Sequence, residues 1–471
     1  MKIPLPSPIL QLGRQFSAAG YRLYAVGGLV RNTLLGNPPS DWDTCTDALP
    51  EASAAIGHAM GLTVVPKAVQ FGTVEFLGSG AGQDSRQPWS SECTTFRRDT
   101  YGRDGSHRPD GVHFSTELSD DAFRRDFSVN ALYADALTGE VIDPTGGLAD
   151  LKSGLIRATS PDPNRILQDD GLRVLRLVRF ACELGFSIEP ATFEAAKRHA
   201  HGLRDIPVER IYSELCKILL SDARYHAPQP GGESAPFRGI RLLYEMGALE
   251  FILPELLEGA GVEQNPVYHA HDVFWHSLHT LACSPPTLPL RFAALLHDVA
   301  KPRCVRETGR MLGHDEKGAL LADEMLLRLK APRALREEVC LLVRRHMYDL
   351  DGRAKESTLR RQFVRWGAEF TLRFADLREA DFAGSGIQPP PVATAERARA
   401  LIARMQAEGV PFSLRELAVS GRDLQKELGL EGPLIGETLL KLQLHCAARP
   451  KENRRERLLR IAKQFLPPNA T

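Results

Sequence analysis

The chain has 471 residues and a mass of 52.0 kDa, and its 59 lysines and arginines balance 59 aspartates and glutamates, giving zero formal net charge and a pI of about 7.2. That balance excludes a uniformly basic nucleic-acid coat, and a composition 43% hydrophobic and 25% charged is that of an ordinary globular protein. At roughly 100–200 residues per domain, the length predicts three or four domains.

Pro4, Pro6 and Pro8 interrupt any apolar stretch ahead of Leu10, so no signal-peptide segment is expected. No run approaches the roughly 18 apolar residues of a membrane span. The eight cysteines are scattered, without zinc-type or disulfide-type spacing, and read as thiols of a reducing, cytoplasmic compartment. From Tyr21 to about Arg157, short apolar runs alternate with Gly, Pro and Asp, which predicts an α+β head. From about Pro163 onward the apolar spacing is helical. The expected division is a head over 1–157, a helical neck over 158–265, a third domain over 266–390 and a helical tail over 391–471.

Leu23 to Val26, then Gly27-Gly28, then Val30 to Gly36 reads as strand, glycine turn and helix. Two glycines let backbone approach a phosphate, and a helix N-terminus adds N–H donors. Such a turn is also a common structural feature. Its weight comes from Asp41-Trp42-Asp43 close behind, because residues two apart on a strand share a face and two carboxylates there can hold Mg²⁺. Ser79 to Ser90 reads as a long hairpin loop, and beyond it Glu92 opens a β-type alternation as a candidate third carboxylate. Arg124-Arg125-Asp126-Phe127 offers paired guanidinium groups suited to triphosphate or ribose. Asp143 to Gly147 reads as a tight turn.

Asp170, Arg173, Arg176 and Arg179 recur every three positions, which on a helix gathers them on one slowly drifting face. An ordinary salt-bridged surface has the same pattern. The functional alternative is a protein template for a base: an Asp accepts from an exocyclic amine while an Arg donates to ring acceptors. Cytosine and adenine both fit that pair, and guanine and uracil present the reverse.

Taken in order, these motifs resemble the class II tRNA nucleotidyltransferase/poly(A) polymerase family, with its polymerase-β-like head. Val26-Gly27-Gly28-x-Val30-Arg31 with Asp41-x-Asp43 looks like the family's catalytic motif, Arg124-Arg125-Asp126-Phe127 like its ribose-selecting motif, and Asp169-Asp170-x-x-Arg173 like its nucleotide template. Glu209 to Lys217 resembles the helix that follows, and Thr94 to Pro109 a flexible loop used in switching from C to A. Asn32 and Asp169 depart from the usual Asp and Glu, which implies altered support around the site. The resemblance implies Mg²⁺ at Asp41 and Asp43, with Glu92 as a less secure third acid. It implies triphosphate and sugar contacts from Gly28, Arg31 and Arg125, base selection by Asp170 and Arg173, and support from Arg176 and Arg179. The implied activity is template-independent addition of C-C-A to the tRNA 3′ end and acceptor arm from CTP and ATP. A poly(A) polymerase and a CC-adding or A-adding specialist are the nearest alternatives. A metal phosphohydrolase with an inactive head, or a non-catalytic RNA-binding protein, stands further off.

Seven histidines fall within residues 269–381. His276, His297, Asp298 and Asp381 match the H…HD…D pattern of the HD phosphohydrolase superfamily, which this region resembles, and His314 and His346 are candidate additional ligands or phosphate contacts. Mixed imidazole and carboxylate ligands suit Mn²⁺, Fe²⁺, Ni²⁺ or Zn²⁺. Some members of the nucleotidyltransferase family with this domain also hydrolyse phosphate esters, and others keep the helices without the metal; with all four core ligands present, a metal site is expected here. Within the tail, Gly429 to Gly436 is expected to open a helix that runs to a basic end, Arg449 to Lys463, facing RNA phosphate or simply solvent.

Overall fold

Leu23–Val26 (β1) is buried at all four positions because both faces of its sheet are covered. In the computed structural model, which describes residues 1–38, 42–79, 88–100, 110–387 and 393–465, β1 pairs antiparallel with β2 (Thr44–Thr46). Beyond these lie β3 (Thr63–Ala68), β4 (Thr73–Gly78) and β5 (Trp89–Thr95) on one side. Setting aside the separate hairpin of β6 (Arg97–Thr100) with β7 (Gly111–Phe114), β8 (Tyr133–Asp135) and β9 (Val141–Ile142) lie on the other side. The sheet order is β3-β4-β5-β2-β1-β8-β9, with β2 and β5 parallel and the other pairs antiparallel.

The period of two divides β1 between two cores. Leu23 and Ala25 face the back, where Ile9, Leu12 and Phe16 of the helix Ser7–Ala18 pack with Val74, Phe76 and Ala134. Tyr24 and Val26 face the front with Cys45, Phe96, Ala122 and Tyr133. The front is therefore the face onto which Leu118–Arg124 folds, bringing Asp121 and Arg124 with it. Strands β4 and β5 form the expected hairpin, while residues 80–87 of its loop and 101–109 of the Thr94 to Pro109 segment lie outside the described residues.

Helix Leu172–Leu184 is buried at every position except Arg176, so it is the axis of the helical part that follows the head. It starts later than the three-residue recurrence predicts. Asp170 has φ −147° and ψ 108° and ends the preceding helix Pro163–Asp169, so it stands at a break rather than on the helix with Arg173. The break lets Gly171 approach the backbone of Gly202, where an added Cβ would meet the Gly202 carbonyl carbon and oxygen at 2.5 Å.

Residues Met1–Pro254 and Glu255–Thr471 form two compact units. The second is helical, with Val273–Cys283, Leu288–Leu296, His314–Arg328, Arg333–Arg345 and Ala368–Gly384 around the histidine-rich region. In the tail the expected single helix is two, Pro433–Ala448 and Arg455–Gln464, because Pro450 has no N–H to donate and restricts Arg449 before it. Arg455 pairs with Asp423 and Glu427, and Arg457 with Glu452, so part of the basic end is already neutralised. Among the described residues no helix is long and apolar enough to cross a membrane.

Candidate functional site

The turn after β1 requires glycine at its first position: Gly27 has φ +67° and ψ −127°, a region closed to side chains. Helix Gly28–Leu34 starts directly from it. Around Gly27, the point where a Cβ would stand lies 3.8 Å from the Asn130 carbonyl oxygen, 3.9 Å from Arg125 Nη1 and 4.0 Å from Asp43 Oδ2. One candidate carboxylate and one candidate guanidinium thus border the same point over the turn. Asp43 stands one residue ahead of β2 rather than within it, and its carbonyl accepts from Val26 N at 3.0 Å. Asp41 lies outside the described residues. Glu92 is mid-strand in β5, next to the Thr44↔Cys93 pair that sets the parallel register, and it pairs with Lys67.

Arg31 is 4% exposed, and its hydrogen-bond partners are amide oxygens: Asn130 Oδ1, and Asn32 Oδ1 at 3.0 and 3.2 Å. Asn32 in turn donates to Tyr225 Oη at 3.0 Å, so the departure at this position has a structural task. Arg31, Arg176 and Arg179 stand 5.0, 5.2 and 4.2 Å from the centre of the Phe180 ring, which gathers three guanidinium groups around one phenyl. Burial is the main influence on Arg31 and Arg179 and lowers the pKa of both. Arg176 reaches Asp126 Oδ2 at 2.6 Å, and Arg179 reaches Glu214 at 3.0 Å. Burial works to raise the Asp126 carboxyl, but Arg176 and the Asn130 amide hold it at about 2.

Asp170 and Arg173 are not paired through their side chains in the way the template pattern suggests. Asp170 Oδ1 accepts from Leu172 N at 3.0 Å, and Arg173 donates to the carbonyls of Ile166 and Arg124, both at 2.8 Å. The Asp143 turn also has a definite task, since its carboxylate accepts from Gly147 N and Leu148 N at 2.8 and 2.9 Å and caps Gly147–Ser153. One buried acid that the sequence reading passed over is Asp121, which binds both Arg124 and Arg125.

In the second unit the histidines converge. His276 Nε2 lies 3.1 Å from both His297 Nε2 and Asp381 Oδ1, and His297 Nε2 lies 3.2 Å from Asp298 Oδ2. All four predicted residues are therefore together. Asp298 Oδ1 faces the other way, 3.2 Å from His314 Nε2 and 3.7 Å from His346 Nε2. The ligand atoms form two overlapping groups, His276-His297-Asp298 and Asp298-His314-His346, all buried. Each imidazole is backed through Nδ1 by a carbonyl: His276 by Gly384, His297 by Ala294, His314 by Met311 and His346 by Val343, at 2.6–3.3 Å. With Nδ1–H committed to a carbonyl, Nε2 presents its lone pair, the tautomer that binds a metal. The donor set and its backing therefore fit a transition-metal centre. Against burial, Asp298 and Asp381 carry His297 up to about 10, while burial and the nearby His297 charge push His346 down to about 3. The same two carboxylates that favour a proton on His297 Nε2 would favour a metal ion in its place.

The mixed sheet with a glycine turn at its front, followed by a helical body and a histidine–aspartate cluster, defines a nucleotidyltransferase-type head on an HD-bearing chain. Residues 23–157 match the poly A polymerase head domain, 185–227 the probable RNA- and SrmB-binding site of polymerase A, and 278–381 the HD domain. An A-adding tRNA nucleotidyltransferase from Deinococcus radiodurans is 36% identical over 363 residues, spanning 72% of this chain and 77% of that one. A CCA-adding enzyme from Levilactobacillus brevis is 43% identical over 224 residues, 48% of this chain and 51% of that one, so the chain spans about half the length of that relative. The crystal structure of the Bacillus stearothermophilus CCA-adding enzyme in complex with CTP superposes with a TM-score of 0.67 at 25% identity, covering 98% of each chain. The chain belongs to the tRNA nucleotidyltransferase/poly(A) polymerase family. Its head and HD domain types indicate dependence on divalent metal ions.

Proposed function

We propose that the head adds C-C-A to tRNA 3′ ends from CTP and ATP without a nucleic-acid template, and that the HD centre is a metal phosphohydrolase. The observation that supports the first part is that Asp43 Oδ2 and Arg125 Nη1 lie 4.0 and 3.9 Å from the same point over Gly27. Asp41, Asp43 and Glu92 make an all-oxygen donor set of the kind Mg²⁺ takes. Mg²⁺ there would supply activation of the RNA 3′-hydroxyl and charge neutralisation at the leaving pyrophosphate. Gly28, Arg31 and Arg125 bind the triphosphate and sugar. Arg31 is suited to this because its partners are neutral amides, so a buried positive charge awaits an anion. Arg176 and Arg179 support that cluster through Phe180. Arg173, its plane fixed by two backbone carbonyls, keeps its other N–H groups for a base, and Asp170 accepts the exocyclic amine beside it. Positioning and electrostatics supply the catalysis, because in-line transfer asks little covalent chemistry of the protein.

In the second unit, Asp298 would share two ions, one with His276, His297 and Asp381 and the other with His314 and His346. Mn²⁺, Fe²⁺, Ni²⁺ or Zn²⁺ bound there would supply a nucleophilic water at neutral pH. Lys301, 2.5 Å from Asp298 Oδ2 and 2.7 Å from Gln264 Oε1, adds a cation beside the donor set.

The test of the head is incorporation of each labelled nucleotide into tRNA acceptors of defined 3′ end. A tRNA lacking C-C-A should take CTP twice and ATP once. Long tails from ATP alone would overturn this in favour of poly(A) addition. A second reading, addition of the terminal A only, is favoured by the long likeness to the Deinococcus radiodurans relative. It predicts ATP incorporation into tRNA already ending in C-C and no CTP incorporation at all.

A further inference from the structure

Asp121 is fully buried on the front face of the head, in the helix Leu118–Arg124. Its Oδ2 accepts from Arg125 Nε at 2.9 Å, Arg125 Nη2 at 2.8 Å and Tyr133 Oη at 2.8 Å, and Tyr133 Oη also accepts from Arg125 Nε at 3.0 Å. Its Oδ1 accepts from Arg124. One edge of the Arg125 guanidinium is therefore clamped, and the remaining Nη1 is the atom that lies over Gly27. Arg124 continues the network to Asp99, 3.8 Å away in β6, and Asp99 pairs with Arg97 at 2.8 Å. Strand β6 is one leg of the hairpin beside the front face. Tyr133 anchors the other end, since β8 pairs with β1 at Val26, the residue just before the glycine turn.

We propose that Asp121 is a positioning residue for nucleotide selection: it fixes the orientation of Arg125 over the glycine turn and ties that orientation, through Arg124, to the β6–β7 hairpin. This rests on the reading of the head as a nucleotidyltransferase. A guanidinium discriminates by direction as well as by charge, because its N–H groups form a rigid planar fork. Clamped along one edge, Arg125 can meet a sugar hydroxyl at one place only. Released, it still attracts a triphosphate but no longer selects the sugar.

The experiment measures kcat/KM of the full chain on tRNA acceptors with ATP, CTP and their 2′-deoxy counterparts. Asp121→Asn removes the charge of the clamp, and Tyr133→Phe removes one hydroxyl while keeping the ring that packs the front core. The preference for ribonucleotide over deoxynucleotide should fall about ten-fold in Asp121→Asn and in the same direction, less far, in Tyr133→Phe. Asp121→Glu should recover part of it. A structural role alone would lower all four values together and leave the ratio unchanged; that result overturns the proposal, and Tyr133→Phe decides it where Asp121→Asn does not fold. A wild-type chain that adds no nucleotide to tRNA overturns the reading of the head, and the positioning role with it.

Discussion

At the scale of single residues, the head stores its charge in carboxylates that burial alone would neutralise. Asp121 and Asp126 are both buried, and in each case neighbouring guanidinium groups more than offset desolvation and hold the carboxyl at about 2, below the usual carboxylate range. A carboxyl whose folded pKa is depressed adds stability that is fully present above the unfolded pKa and is lost as pH falls through the folded value. Each shift corresponds to about 2 kcal/mol, so unfolding stability of the first unit should drop mainly between pH 4 and pH 2. Urea unfolding of the wild type and of Asp126→Asn across that interval checks this, with the variant expected to show a shallower decline. Parallel curves would mean that Asp126 is equally acidic in the unfolded chain. The same residues show how far side-chain roles are legible from order alone. Arg124-Arg125-Asp126 stands out as a motif, whereas Asp121 is one acid among several. Its three- and four-residue spacing to the arginines is the sequence signal that was available, and the burial that makes it matter comes from Tyr133 on another strand.

At the scale of elements, the strand, glycine turn and helix from Leu23 to Leu34 follow from the sequence because each piece is local: an apolar run, a position needing positive φ, and a helix start. The interruption at Asp170–Gly171 does not, because the apolar and basic spacing continues through it. Its cause is tertiary: Gly171 and Gly202 approach until the former's Cα and the position of a Cβ on the latter are 3.5 Å apart. The backbone of Gly171 itself is unexceptional, at φ −56° and ψ −24°, so alanine there is opposed only by the neighbouring chain. Gly171→Ala should cost about 2 kcal/mol or more, within the range of overpacked interiors, and should displace Asp170 from the break. The check is a urea midpoint together with the CTP and ATP preference. A variant as stable as wild type would show that the 200–205 turn yields freely. The tail is the opposite case, in which the break between its last two helices has a local cause at Pro450.

At the scale of the molecule, zero net charge results from acids placed against bases rather than from a neutral surface, as Arg455 with Asp423 and Glu427 shows at the basic end. The two compact units each carry one candidate site, with the head residues before Pro254 and the histidine–aspartate centre after Glu255. Four candidate ligands of that centre follow a sequence pattern, and the pairing of His314 with His346 across the far side of Asp298 is a matter of helix packing. Because Asp298 directs one oxygen to each group, its loss and the loss of His314 should differ in kind. The chelated full chain, reloaded with Mn²⁺ and freed of excess, is expected to retain about two ions, His314→Ala about one, and Asp298→Ala almost none. Metal analysis alongside the tRNA addition assay checks this, with Mg²⁺-dependent addition unchanged in both variants since neither residue belongs to the head. Retention of about one ion by the wild type, unaltered in His314→Ala, would reduce the centre to a single ion. Loss of nucleotide addition in Asp298→Ala would show that the head needs the HD metal, because that substitution leaves every candidate residue of the head in place.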